Sequence, residues 1–234
     1  TTYAYKAGMG NATPGGAVGA FYAGGYAPAS PYGGANTTQI TSCCSTTLCS
    51  ILPVWSGADP LITARWGVGG AGTQNASLAI GGATPSELSN TEEYGGTSWS
   101  AGGALITARY ATATYGTQNA ANASGGGTPT IIANTEEYNG SAWSNGGALI
   151  QLRYYAAGAG TQNAGLTFGG TTPSTITNTE EYDGSSHSAG GAMINGRYTL
   201  FGTGTQNAAL AATGYAPNVS THTEHYDGSS WSTG

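Results

Sequence analysis

Four arginines, Arg65, Arg109, Arg153 and Arg197, are each followed by an aromatic residue: Trp66, Tyr110, Tyr154 and Tyr198. A guanidinium beside an aromatic ring can stack on a sugar and hydrogen-bond its hydroxyls, so these eight residues are the first candidates for ligand contact. The same arginines can instead tie neighbouring structural units together by pairing with glutamates such as Glu92 or Glu93. Adjacent carboxylates recur at Glu92/Glu93, Glu136/Glu137 and Glu180/Glu181. On an extended strand, neighbouring side chains point to opposite faces, so such a pair does not make one acid–base site. Glycoside hydrolysis needs two carboxylates facing each other across a bond. One glutamate of each pair is therefore expected in solvent and the other on an arginine.

The remaining reactive side chains give no convergent pattern. His187, His222 and His225 are the only histidines. A zinc site needs three or four converging ligands, which this spacing does not supply. Cys43, Cys44 and Cys49 are too few and too local for a disulfide scaffold, although either of the first two could close a small loop to the third. No nucleophile elbow, phosphate-binding loop or paired-histidine zinc motif is present, so neither catalysis nor a cofactor nor a metal is expected. Glycosylation sequons at Asn11, Asn36, Asn75, Asn122, Asn139 and Asn218 hold no common position.

The chain that carries these residues has 234 positions, 41 of them glycine, with 7% charged residues and a net charge of −6. Typical values are roughly 7% glycine and 25% charge, so neither a coiled coil nor a charge-rich tail fits. Five cations argue against nucleic acid as a partner. Apolar runs of two to six residues fall short of the roughly 20 that span a bilayer, so membrane insertion is not expected. The chain opens on Thr1 without a signal-peptide pattern, which suggests a processed form or a piece of a longer chain.

A period of 44 residues organises the rest. TQNA stands at 73–76, 117–120, 161–164 and 205–208; TEEY follows at 91–94, 135–138 and 179–182, with Thr223-Glu224-His225-Tyr226 as its variant. Pro85, Pro129, Pro173 and Pro217 keep the step, as do Trp55, Trp99, Trp143, His187 and Trp231. Within a unit, Ala164 to Phe168 alternates as a strand, Thr179 to Tyr182 is a second, and Asp183-Gly184 signals a two-residue type I′ hairpin leading to the strand with the Trp. The stretch after the arginine, such as Tyr154 to Ala159, opens the next unit. Four short antiparallel strands per unit make one blade of an all-β propeller. Residues 55–234 hold four regular repeats, and residues 1–54 are expected to be a diverged first blade with a Cys-containing insertion at about 29–45. Five blades are expected in total.

The order Gly-Gly, Tyr, Trp, Arg resembles the kelch repeat: Gly81-Gly82, Tyr94, Trp99, Arg109, then Gly125-Gly126, Tyr138, Trp143, Arg153. The next copy has Gly169-Gly170, Tyr182, His187 and Arg197, and the last replaces its first glycine by Thr213. The copper oxidase branch of the kelch-type proteins would require a Cys–Tyr crosslink and histidine ligands that cannot be placed here. The wording of GTQNA, GG-x-TPS and NTEEYDGSS is similar to repetitive fibre and tail-associated proteins of marine bacteriophages. That resemblance implies a virion or extracellular location and a non-enzymatic, adhesive role. Its partners would be other copies of the chain, other virion or fibre proteins, and cell-surface glycans. The alternative expectation is a lectin-like propeller with repeated Arg–aromatic sugar sites.

Overall fold

The computed structural model describes residues 57–234 together with two short strands, β1 (Gly8–Met9) and β2 (Phe21–Tyr22), which pair with each other. The diverged blade expected over 1–54, its insertion and the three cysteines otherwise lie outside the described residues.

The first regular blade has β3 (Gly69–Thr73), β4 (Ala76–Ile80), a small hairpin of β5 (Ala83–Thr84) and β6 (Ser86–Glu87), then β7 (Thr91–Tyr94) and β8 (Trp99–Ala101). The second has β9 (Ala113–Thr117), β10 (Ala120–Ser124), β11 (Thr135–Tyr138) and β12 (Trp143–Gly146). The third has β13 (Ala157–Thr161), β14 (Ala164–Phe168), the hairpin β15 (Thr171–Thr172) and β16 (Ser174–Thr175), then β17 (Thr179–Tyr182) and β18 (His187–Ala189). The fourth has β19 (Phe201–Thr205), β20 (Ala208–Ala212), the hairpin β21 (Tyr215–Ala216) and β22 (Asn218–Val219), then β23 (Thr223–Tyr226) and β24 (Trp231–Thr233). Each blade is an up-and-down antiparallel sheet, and the inner strands β3, β9, β13 and β19 pack side by side in that order. β1 also lies near β3. The fold is a β-propeller with four described blades at 44-residue spacing.

Two local expectations shift. The first strand of the third blade begins at Ala157, so Tyr154 and Tyr155 belong to the connection before it. The hairpin after Tyr182 has a four-residue loop, Asp183 to Ser186, because Tyr182 pairs with His187. Its geometry is set by the aspartate, whose Oδ1 accepts the backbone N–H groups of Ser185 and Ser186 at 2.8 Å each. An acceptor side chain that closes its own turn removes the need for the two-residue loop.

Small residues line the axis because the inner strands of the four described blades converge there. A pocket of about 30 Å³ runs between Gly72, Gly116, Gly160 and Gly204. That is room for about one water molecule, well below the roughly 300 Å³ of a small-molecule site. The core lies between blades instead. Leu78 and Ile80 pack with Ala121, Tyr138 and Trp143 across the first seam, and Leu166 and Phe168 with Ala209, Tyr226 and Trp231 across the third.

Candidate functional site

The repeated arginines are buried in the connections between blades. Arg109, Arg153 and Arg197 have no solvent-exposed surface, and Arg65 is 5% exposed. Arg109 pairs with Glu136, Arg153 with Glu180 at 2.5 Å, Arg197 with Glu224 at 2.5 Å and Arg65 with Glu92 at 3.1 Å. Arg109 also donates to the carbonyls of Thr107, Gly125 and Asn134. The Glu136 carboxylate accepts two more bonds, from the N–H of Ile106 at 2.7 Å and of Thr107 at 3.1 Å. Burial pulls Arg109 and Arg153 below the ordinary guanidinium range, and the facing carboxylates act in the opposite direction. A buried ion pair is tolerated best when its remaining donors and acceptors are filled; every guanidinium nitrogen of Arg109 and Arg153 is engaged, whereas Nε and Nη1 of Arg65 and Nε of Arg197 have no hydrogen-bond partner. The guanidinium groups thus hold one blade's exit to the next blade, the tie named above as the alternative to ligand contact.

The second glutamate of each pair has a task that the sequence alone did not suggest. Glu93 accepts the hydroxyl of Tyr138 from the next blade at 2.5 Å; Glu137 accepts Tyr182 at 2.9 Å and Glu181 accepts Tyr226 at 2.6 Å. Burial, reinforced by these carboxylates, pushes Tyr182 and Tyr226 up to about 12. Other repeated residues also cross the seams. Gln118 donates to the carbonyls of Ser77 and Tyr94, and Gln162 and Gln206 repeat the arrangement. Trp143 Nε1 donates to Thr91, and Trp231 Nε1 to Thr179, both at 2.9 Å. The repeated polar side chains are therefore mostly seam fittings.

The aromatic partners of the arginines come together. Trp66 and Tyr110 have ring centroids 4.9 Å apart, Tyr110 and Tyr154 6.4 Å, and Tyr198 and Tyr215 5.3 Å. Tyr155, outside the repeat pattern, bridges the arc at 4.6 Å from Tyr154 and 6.2 Å from Tyr198. All six rings are half-buried. A backbone collar supports them: Ala111 N–H donates to Gly67, Tyr155 N–H to Ala111 and Thr199 N–H to Tyr155, at 2.8, 2.8 and 2.9 Å. Ala111, Tyr155 and Thr199 adopt left-handed backbones, with φ of 52°, 55° and 51°. For a residue as bulky as tyrosine this is an outlier, held in place by the blade-to-blade bonds.

One seam differs from the others. Between the second and third blades, Asn122 and Ser124 stand where the first blade has Leu78 and Ile80, and His187 stands where the others have Trp. Thr135 donates to Ser124, and Ser124 to Asn122 at 2.6 Å. His187 Nε2 lies 3.2 Å from Thr135 Oγ1 and, with the Thr135 proton directed to Ser124, carries the hydrogen as the Trp indoles do. Its ring packs on Tyr182 with centroids 4.6 Å apart, against 5.0 Å for Tyr138 and Trp143. Asn122, fully buried here, closes its sequon to modification of the folded chain. Comparing each position down the four copies, rather than seeking the consensus, is the signal that finds this seam.

Among the described residues, no group of three His, Cys, Asp or Glu side chains is placed to hold a metal ion. His222 and His225 are exposed and separate from His187. No protein-family model matches the chain, and no curated protein matches it.

Proposed function

We propose that the chain is a non-enzymatic structural and adhesive propeller, a kelch-like repeat component of a virion tail, fibre or other extracellular assembly. One observation carries this reading. The recurring Arg, Glu, Gln, Tyr and Trp side chains are engaged with neighbouring blades, and what recurs toward solvent is short uncharged polar residues, the Thr and Asn of the TQN turns and the Ser after each Trp or His, with one isoleucine per blade. A rigid scaffold of this kind contacts partners through surface rather than through a convergent polar pocket. Weak contacts multiplied over copies then give avidity. On this reading the scaffold has five blades, the first built from residues 1–54, and acts outside the cell.

The test is adhesion of the full chain to host-type cell surfaces and to other copies of itself, measured as monomer and as a multivalent display. Adhesion that rises steeply with display valency is the expected result. A chain that neither self-associates nor adheres in either format overturns the reading.

The aromatic arc favours a second reading, a lectin-like face for neutral polysaccharide. Here Trp66, Tyr110, Tyr154, Tyr155, Tyr198 and Tyr215 would stack on pyranose rings, with the buried arginines acting only to position them. Replacing Tyr110 and Tyr155 with Ala should then weaken polysaccharide binding more than it lowers the melting temperature. Equal losses in both would make the arc a structural plug.

A further inference from the structure

The seam between the second and third blades departs from its neighbours on both of its faces at once. Its second-blade face carries Tyr115, Asn122 and Ser124, and its third-blade face carries Gly165, Thr167 and His187. At the same repeat positions the first seam sets Ala71, Leu78 and Ile80 against Ala121, Ala123 and Trp143. The third sets Ala159, Leu166 and Phe168 against Ala209, Ala211 and Trp231. Those two seams are alike in kind, large apolar groups over alanines and an indole. The second matches neither.

The departures fit one another. The Tyr115 ring fills the space that Gly165 leaves open; a β-carbon there would stand 2.1 Å from Cε2 and 2.6 Å from the hydroxyl. That hydroxyl faces Ser124 of its own blade and Thr167 of the next. A row of hydrogen bonds joins Asn122, Ser124 and Thr135, and His187 Nε2 lies 3.2 Å from Thr135 Oγ1 across the seam. Seating the second blade on an alanine-bearing face would drive Tyr115 into a β-carbon. Seating an apolar blade on the third would leave a void over Gly165 and bury Thr167 and His187 against leucine, isoleucine or phenylalanine. Even in place, Tyr115 Oη, Asn122 Nδ2, Thr167 Oγ1 and His187 Nδ1 make no aligned hydrogen bond. This filling is therefore not the most stable one for the space, since unpaired buried polar atoms cost free energy. What it supplies is discrimination.

We propose that this seam is a key for blade order: the Tyr115 face of the second blade accepts only the third blade, while the apolar seams on either side accept one another's blades. Near-identical repeats face a hazard that dissimilar domains do not. A blade of another copy, or a distant blade of the same copy, fits an apolar face as well as the proper neighbour does. One seam that rejects every described alternative pins the middle of the array, and with it the places of the blades joined on each side. A buried polar set suits this task. Replacing such a set with well-packed apolar groups is often neutral or stabilising, and its best-attested benefit is fixing register. Selectivity arises from what the wrong partner leaves clashing or unpaired. The key concerns assembly of the blades and is independent of what the propeller surface contacts.

The experiment is refolding from denaturant of an equal mixture of isotopically light and heavy full chain, with native mass spectrometry counting oligomers that contain both. It compares wild type with a variant carrying Tyr115→Ala, Asn122→Leu, Ser124→Ile, Gly165→Ala, Thr167→Ala and His187→Trp, which gives the second seam the residues of the first. Mixing folded chains without denaturant measures surface association, which is subtracted. The expected variant melts no lower than wild type and yet forms about tenfold more mixed oligomer, the factor that loss of one packing clash sets. A variant that folds as stably and forms no more mixed oligomer than wild type overturns the proposal. Should it melt lower or not fold, two one-sided variants decide, one with the three second-blade changes and one with the three third-blade changes. Refolded together, they are expected to form a mixed oligomer that neither forms alone, because the unaltered keyed faces then lie on different chains. Absence of that oligomer overturns the proposal as well.

Discussion

Tyr115 of the second blade lies over Gly165 of the third, so closely that a methyl group on Gly165 would sit 2.1 Å from Cε2 of the ring. At the equivalent place, the first seam has Ala71 against Ala121 and the third has Ala159 against Ala209. Large-on-nothing thus replaces small-on-small in one seam only. Gly165→Ala should destabilise by about 1–3 kcal/mol through overpacking. Tyr115→Ala should cost about 3–5 kcal/mol through the cavity it leaves. The double variant restores the alanine pair of the neighbouring seams and should lie well above the sum of the single losses. Denaturant unfolding of the four proteins measures the coupling; strict additivity would show that the two residues do not share a site.

His187 gives this seam a pH dependence. Burial lowers it to about 4 from an ordinary 6.5, with Glu180 opposing and Arg153 assisting. Between those values the unfolded chain binds a proton that the folded chain does not, so stability rises with pH. The contribution is fully present above about pH 6.5 and is lost as pH falls toward 4. His187→Trp, which copies the other blades, should remove that slope in a series of thermal melts. A slope unchanged by the substitution would assign it to another group.

Asp183 and Asp227 titrate lower. Each is held down to about 2, first by the backbone N–H groups of Ser186 and Ser230, then by the hydroxyls of Ser185 and Ser229. Their folded values lie below the unfolded ones, so the stabilisation is present above about pH 4 and disappears as pH falls through 2. Amide exchange at Ser185, Ser186, Ser229 and Ser230 should accelerate selectively in that window. Asp183→Asn should weaken the acid response in the third blade alone.

The buried clamps predict a large and local effect. Removing the charge of Glu180 leaves Arg153 buried without its counter-ion and loosens the N–H groups of Ile150 and Gln151. Glu180→Gln should cost about 3–5 kcal/mol, the usual penalty for orphaning one partner of a buried pair. Glu181→Gln keeps an acceptor for Tyr226 and should cost far less. Comparable losses from the two changes would contradict the division of labour between adjacent carboxylates.

By itself, the sequence determined the period, the blade, the antiparallel strands and the opposite faces of neighbouring glutamates. These follow from alternation and turn chemistry within one 44-residue unit, where the relevant residues are close along the chain. That the second glutamate of each pair accepts a tyrosine hydroxyl instead of standing in solvent did not follow from them. Tertiary structure decided what each repeated side chain touches, because the deciding contacts join different blades: Tyr138 reaches back 45 residues to Glu93, and Trp143 reaches 52 to Thr91. The burial of Asn122 and Ser124 follows only from the seam that encloses them. Leu105 is buried and Ile106 beside it exposed, and no periodicity in this connection says which of the two faces inward. Tyr155 joins the aromatic arc only through a left-handed backbone that no tyrosine chooses locally. The arginines were legible as either clamps or ligand contacts, and burial settled where they sit: each is closed off from water beside a glutamate of the following blade, its counter-ion.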